Sequence, residues 1–89
     1  MPPYNMNNRQ RKTLITIFTN PTPKTMAWSD IESLLLAIGC TIIEGDGSRV
    51  RFIKDGIIGY FHRPHPQKEA LPYQIRNAKT FLIKLGVEP

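Results

Sequence analysis

Two Asp-Gly pairs, Asp46-Gly47 and Asp55-Gly56, stand nine residues apart between runs of β-branched and aromatic residues. Both residues of such a pair tolerate positive φ, which the tight turns of β-hairpins require. Two turns in succession confine the middle of the chain to an antiparallel meander. Its strands are expected at Thr41–Gly45, Ser48–Lys54 and Ile57–Arg63, the last ending before Pro64.

Two-residue turns also fix the register. Across Asp55-Gly56, Arg51 meets Tyr60, Val50 meets Phe61 and Arg49 meets His62; across Asp46-Gly47, Glu44 meets Arg49 and Ile43 meets Val50. Side chains alternate between the faces of a strand. One face therefore collects Thr41, Ile43, Val50, Phe52, Ile57 and Phe61, which need covering by helices. The other collects Ile42, Glu44, Arg49, Arg51, Ile53, Ile58, Tyr60 and His62. A slip of one residue would exchange the faces and expose Phe52 and Phe61.

Helices flank the meander. Asn8–Phe18 places Leu14, Ile17 and Phe18 at helical spacing opposite Arg9, Arg11 and Lys12, and two nearby prolines, Pro21 and Pro23, end it. Thr22–Ala27 is expected to be an extended linker. Ser29-Asp30-Ile31-Glu32 has the spacing of a capping box, Ile31, Leu34, Leu35 and Ile38 form an apolar stripe, and Gly39 is a natural stop. Trp28, just before the cap, suits a hydrophobic staple better than a base-stacking platform. Pro72–Leu85, with Ile75, Ala78, Leu82 and Leu85 on one side, forms the last helix before Gly86. The fold class is α+β with element order α-α-β-β-β-α: a flexible tail over 1–7, then one domain over 8–89.

A chain of 89 residues has room for one core. Its lone cysteine, Cys40, cannot form an internal disulfide and reads as a small core residue in a reducing compartment. Nothing resembles a membrane span or a signal peptide, so the expected location is the cytoplasm. The net charge of +5 is uneven: residues 1–27 carry four bases and no acid, 28–56 three bases against five acids, and 57–89 five bases against two. Such a domain attracts polyanions, because each phosphate it neutralises releases counterions.

The row Glu44–Arg49–His62, with Arg51–Tyr60 beside it, contains the group types that RNA cleavage uses. A base takes the 2′-hydroxyl proton, an acid protonates the departing 5′-oxygen, and a fixed cation steadies the phosphoryl charge. The competing reading is a surface row of opposite charges that aids strand pairing. Tyr60 is either a stacking platform for a base or an ordinary exposed strand tyrosine. Arg76, Lys79 and Lys84 on the last helix either contact phosphates or form a solvated face. Ile42, Ile53 and Ile58 beside charges suggest a surface that something covers. No metal-ligand spacing, phosphate-cradling glycine loop or Ser/His/Asp set is present, so the expected chemistry uses neither metal nor cofactor.

The residues after the third strand add a resemblance. Arg63-Pro64-His65-Pro66, then Lys68-Glu69, then a helix ending Ile83-Lys84-Leu85-Gly86-Val87, with the helix–Gly39–strand–Gly47-Ser48–strand order before them, resemble the HicA toxin (YcfA-like) family over roughly Ser29 to Val87. The resemblance implies a double-stranded-RNA-binding-like fold in which helices cover one face of a three-stranded antiparallel sheet. It implies a small mRNA interferase, with a HicB-type antitoxin as the protein that covers the open face. The first helix looks like an extension seen in a subgroup. Family members usually carry their catalytic histidine directly after Gly-Ser, where this chain has Arg49. Arginine stays protonated and cannot be a general base. His62, expected directly across from Arg49, is the candidate to replace it. His65, which matches a histidine common after this strand, is the competitor, its bland reading being a rigid turn between two prolines. Ser48, Arg51, Tyr60, Arg63, Lys68, Arg76 and Lys79 are the candidate RNA contacts. Either catalysis has moved to another residue or the protein only binds RNA.

Overall fold

The computed structural model describes residues 5–89. Helix α1 (Asn8–Ile17) is followed by strand β1 (Met26–Ala27), helix α2 (Trp28–Ala37), strands β2 (Thr41–Glu44), β3 (Arg49–Lys54) and β4 (Ile57–His62), strand β5 (Glu69–Ala70) and helix α3 (Pro72–Leu85). The expected order stands, with one addition. The linker before α2 and the segment before α3 pair antiparallel as β1 and β5, Met26 with Ala70 and Ala27 with Glu69. This two-stranded ribbon ties the start of α2 to the start of α3. The main sheet is antiparallel in the order β2-β3-β4, and the helices cover one face of it, as in the double-stranded-RNA-binding-like arrangement.

The core explains the layers. Ile31, Leu34, Leu35 and Ile38 of α2, and Ile75, Ala78, Phe81 and Leu82 of α3, are buried against Val50, Phe52 and Phe61. Trp28 packs its ring on Phe61 and Phe52, with centroids 5.7 and 6.5 Å apart, and Phe61 meets Phe81 edge-on at 6.1 Å. Gly59 lets α3 approach β4: a Cβ there would lie 2.9 Å from the Phe81 ring. Helix α1 packs on α2 and α3, burying Leu14 and Ile17. Of the expected tail, residues 1–4 lie outside the described residues. Asn7 caps α1 in a reciprocal pair with Gln10, at 2.8 and 2.9 Å, and Met6 is buried in the core.

The second hairpin closes as expected. Asp55 and Gly56 both take positive φ, 53° and 76°, and pair Lys54 with Ile57 and Arg49 with His62. The first hairpin does not. Its pairs are Glu44 with Val50, Ile43 with Arg51, Ile42 with Phe52 and Thr41 with Ile53, one residue from the expected register. The cause is a three-residue connection. The Gly45 amide donates to the Arg49 carbonyl at 2.9 Å, and the Arg49 amide donates back to Asp46 O at 3.1 Å. Gly45 thus becomes part of the closing pair, and a Cβ on it would lie 3.0 Å from Cβ of Arg49. Because the strand period is two, the slip exchanges the faces of β2. Ile42 and Glu44 turn to the helical side, and Thr41 and Ile43 to the open one.

The capping box at Ser29 is also absent. α2 begins two residues earlier, with Ala27 as its N-cap and no side-chain cap hydrogen bond. Glu32 is drawn elsewhere: it accepts from Trp28 Nε1 at 2.7 Å and from Arg63 Nε. Trp28 is itself buried within the first turn, its amide held by Lys68 O at 3.0 Å, so it stacks on core rings and not on a base.

Candidate active site

The open face of the sheet is built by β3 and β4. Arg49 and His62 are cross-strand partners, as are Arg51 and Tyr60, and all four are exposed because Val50 and Phe61 between them point into the core. A groove at this end of the face is lined by Gly45, Asp46, Arg49, Arg51, Tyr60 and His62. His62 also borders a second hollow, shared with His65, Gln67, Tyr73 and Gln74, beyond the end of β4. It is therefore the histidine that belongs to both concavities, whereas His65 lies on the exposed connection after β4.

Two contacts hold His62, each backed by a neighbouring hydrogen bond. Ser48 Oγ lies 3.4 Å from Nδ1, and Ser48 O accepts from the Arg63 amide at 2.8 Å, closing the end of the β3–β4 ladder. The buried Gln74 donates Nε2–H to the His62 carbonyl at 2.8 Å while its Oε1 accepts from the Leu71 amide at 2.9 Å. One side chain of α3 thus fixes both its own helix start and the backbone of the candidate residue. With Nδ1 facing Ser48, Nε2 is the ring nitrogen left for another partner.

The expected row of three groups is reduced to a pair. The register slip carries Glu44 to the helical side, where both its oxygens accept from Arg63, Nη2 to Oε2 at 2.9 Å. Arg63 simultaneously donates to Glu32, so it bridges α2, β2 and the segment after β4. These hydrogen bonds hold the Glu44 carboxyl below the usual carboxylate range. A carboxylate depressed in the folded state stabilises the fold above its unfolded pKa of about 4.3 and loses that contribution as pH falls through the lower folded value. Glu44→Gln is therefore expected to lower the thermal midpoint at neutral pH, with the gap to the parent closing below about pH 4. A gap independent of pH in an acid titration of the two melting curves would exclude this role.

The remaining candidates are dispersed. Lys68 is exposed next to β5; Arg76 and Lys79 sit on α3, on the helical side, with Lys79 Nζ 5.7 Å from the centre of the Phe18 ring. Neither Gln74 nor Asp46 is foreseeable as a site residue from the sequence. Gln74 occupies the first turn of a helix, where polar residues are ordinary. In the sequence Asp46 reads only as a turn former, whereas the fold also places it on the rim of the groove. Among the described residues, no three His, Cys, Asp or Glu side chains converge as a metal-holding group. Cys40 is buried, which pushes its thiol up to about 11 and suits a core residue.

The fold and the open face agree with the match to known families. Residues 28–87 match the family described as the HicA toxin of bacterial toxin–antitoxin systems. The chain belongs to the HicA toxin family. A HicA protein is the toxin of a toxin–antitoxin system, and the matched span runs from the first residue of α2 to the residue after the Gly86 stop. It omits α1. Curated proteins and solved structures yielded no match. None of the helices over the described residues is long and apolar enough to cross a membrane.

Proposed function

We propose that this HicA protein is an endoribonuclease that cleaves mRNA without a metal, with His62 as its proton-transfer group and Arg49 as the cation facing the phosphate. The observation that carries the reading is the Arg49–His62 pair on the helix-free face. It sets an imidazole beside the position after Gly47-Ser48 where the family usually has its histidine. Histidine changes charge near neutral pH, so it can take a 2′-hydroxyl proton or deliver one to the departing 5′-oxygen. A hydroxyl both donates and accepts, so Ser48 suits either protonation state of the ring. Asp46 supplies the other proton-handling group at the groove, in place of Glu44. Arg51 and Tyr60 extend the face for a phosphate and a base. A HicB-type antitoxin covers this same face in the resting pair, its apolar contact provided by Ile43, Ile53 and the exposed Ile58.

A second reading, a non-catalytic RNA-binding module of the same fold, is favoured by one observation: Arg49 stands where the family's histidine is usual. Incubating the purified protein with RNA in EDTA separates the two. Products with 2′,3′-cyclic phosphate ends support the nuclease; binding that persists without any cleavage supports the module.

Arg49→Ala tests the cation. Removing one preorganised group that faces developing charge is expected to reduce cleavage about 10²-fold, together with weaker RNA binding. Unchanged cleavage with only a lower melting temperature would reduce Arg49 to a strand-pairing residue.

A further inference from the structure

The charge of this chain is concentrated where the family match does not reach. The four bases before Trp28 (Arg9, Arg11, Lys12 and Lys24) face no acid in that segment, whereas eight bases meet seven acids in the remainder. The part that carries the proposed active site is thus close to balanced, and most of the net +5 belongs to α1 and its flanks. From this we infer that the outer face of α1 is a second RNA-phosphate contact, on the helical side of the molecule and separate from the groove around His62. The inference rests on RNA being the partner and adds where its backbone is held.

Stability does not account for this distribution. Arg9, Arg11 and Lys12 all lie in the first half of α1; its first turn has no acid and its last turn no base. Aligned peptide dipoles make that end of a helix positive, so cations there oppose the helix and would help it at the other end. Asn7 already accepts from the Gln10 and Arg11 amides, so the contact is assigned to the side chains and not to the helix end. Arg9 is neutralised by Asp30 at 2.8 Å, which fastens α1 to α2. Arg11 and Lys12 are exposed, and among the described residues neither has an acid within ion-pairing distance. Lys12 borders a hollow between α1 and β1, with Thr16 and Met26 on its walls. At the far end of α1, Lys79 over the Phe18 ring extends the positive surface onto α3, with Arg76 three residues before it.

The chemistry of the patch selects the partner. A helix that binds a lipid surface must offer its apolar side, but Leu14 and Ile17 are buried in the core. What α1 offers outward is Arg11 and Lys12 around one exposed large apolar side chain, Ile15, too little apolar surface for a lipid-bound helix; the cations fit a phosphate backbone held without base reading. An RNA held here and in the groove must extend around the domain, so short oligonucleotides cannot use both places.

The test is Arg11→Glu/Lys12→Glu in the full chain carrying His62→Ala, so that binding is read without cleavage. Long polyuridylate and tetrauridylate are titrated at several salt concentrations, with a circular-dichroism melt of each protein. The expected result is at least a tenfold loss of affinity for the long RNA. The slope of log K against log salt becomes shallower by roughly 0.7 for each phosphate contact removed, and tetrauridylate binding is unchanged. Equal affinity and slope for long RNA would overturn the inference, as would an equal loss for tetrauridylate, which marks a general field and not a contact. If the doubly reversed variant does not fold, Arg11→Gln/Lys12→Gln is judged by the same two outcomes. A His62→Ala parent that binds neither RNA removes the RNA reading itself. Failure confined to the α1 variant removes only the second contact.

Discussion

His62→Ala is expected to reduce RNA cleavage roughly 10²–10⁴-fold, the range that a positioned general acid or base contributes. The melting temperature should hardly move, because His62 is exposed and substitutions at such positions usually stay within about 0.5 kcal/mol. RNA binding measured on the variant should persist, since Arg49, Arg51 and Tyr60 still form the face. A stricter form of the experiment exchanges the partners, as Arg49→His/His62→Arg. Cross-strand neighbours have Cβ atoms only about 5 Å apart. The exchange therefore keeps an imidazole and a guanidinium side by side and returns the imidazole to the family's usual strand. It is expected to recover a substantial part of the cleavage that His62→Ala removes. If His62→Ala cleaves at the parent rate, proton transfer belongs to another residue, and His65→Ala is the variant to compare.

The two hairpins show how far local chemistry determines such a site. Asp55-Gly56 is flanked by Lys54 and Ile57, residues with side chains, so the two-residue turn has no competitor and the Arg49–His62 pairing follows directly from sequence spacing. The first turn is Gly45-Asp46-Gly47-Ser48, and there two closures are chemically available. A glycine before the Asp-Gly pair tolerates the close approach to Arg49 that a three-residue loop demands, and that loop is the one formed. Three of the four β2 positions keep apolar or β-branched side chains, so hydrophobic alternation does not discriminate between the registers. Tertiary demand then decides. Ile42 packs against the core, and Glu44 meets an arginine that the Pro64 region holds nearby. The same logic applies to α2: Ser29 and Glu32 have capping-box spacing, but the buried indole of Trp28 and the guanidinium of Arg63 compete for the same carboxylate and win. Polar residues with a long-range partner are the ones that local reading misplaces. Gln74, whose partner is the His62 carbonyl, is the one that matters most for the site.

Phe52→Ala is expected to have the largest effect on stability, and its consequence for the site is distinct from that of His62→Ala. Phe52 is fully buried on the central strand, with Trp28 on one side and Phe61 5.7 Å away in an edge-on contact. Removing a buried phenyl ring costs about 3–5 kcal/mol through lost transfer energy and an incompletely filled cavity. For a domain of this length that corresponds to a melting temperature lower by roughly 12–40 °C. Total stabilities of small domains are about 5–15 kcal/mol, so a measurable unfolded fraction at growth temperature is the expected state. Phe52 and Arg51 are adjacent on β3, one directed inward and the other outward. Cleavage should therefore fall with Phe52→Ala only in proportion to the folded population, and recover on cooling, whereas His62→Ala keeps its reduced rate at every temperature. Measuring rate and circular dichroism on both variants across the same temperature range distinguishes them. A Phe52→Ala protein that is fully folded yet inactive would mean that the aromatic layer under the groove sets the geometry of its rim, and that the open face cannot be treated as independent of its support.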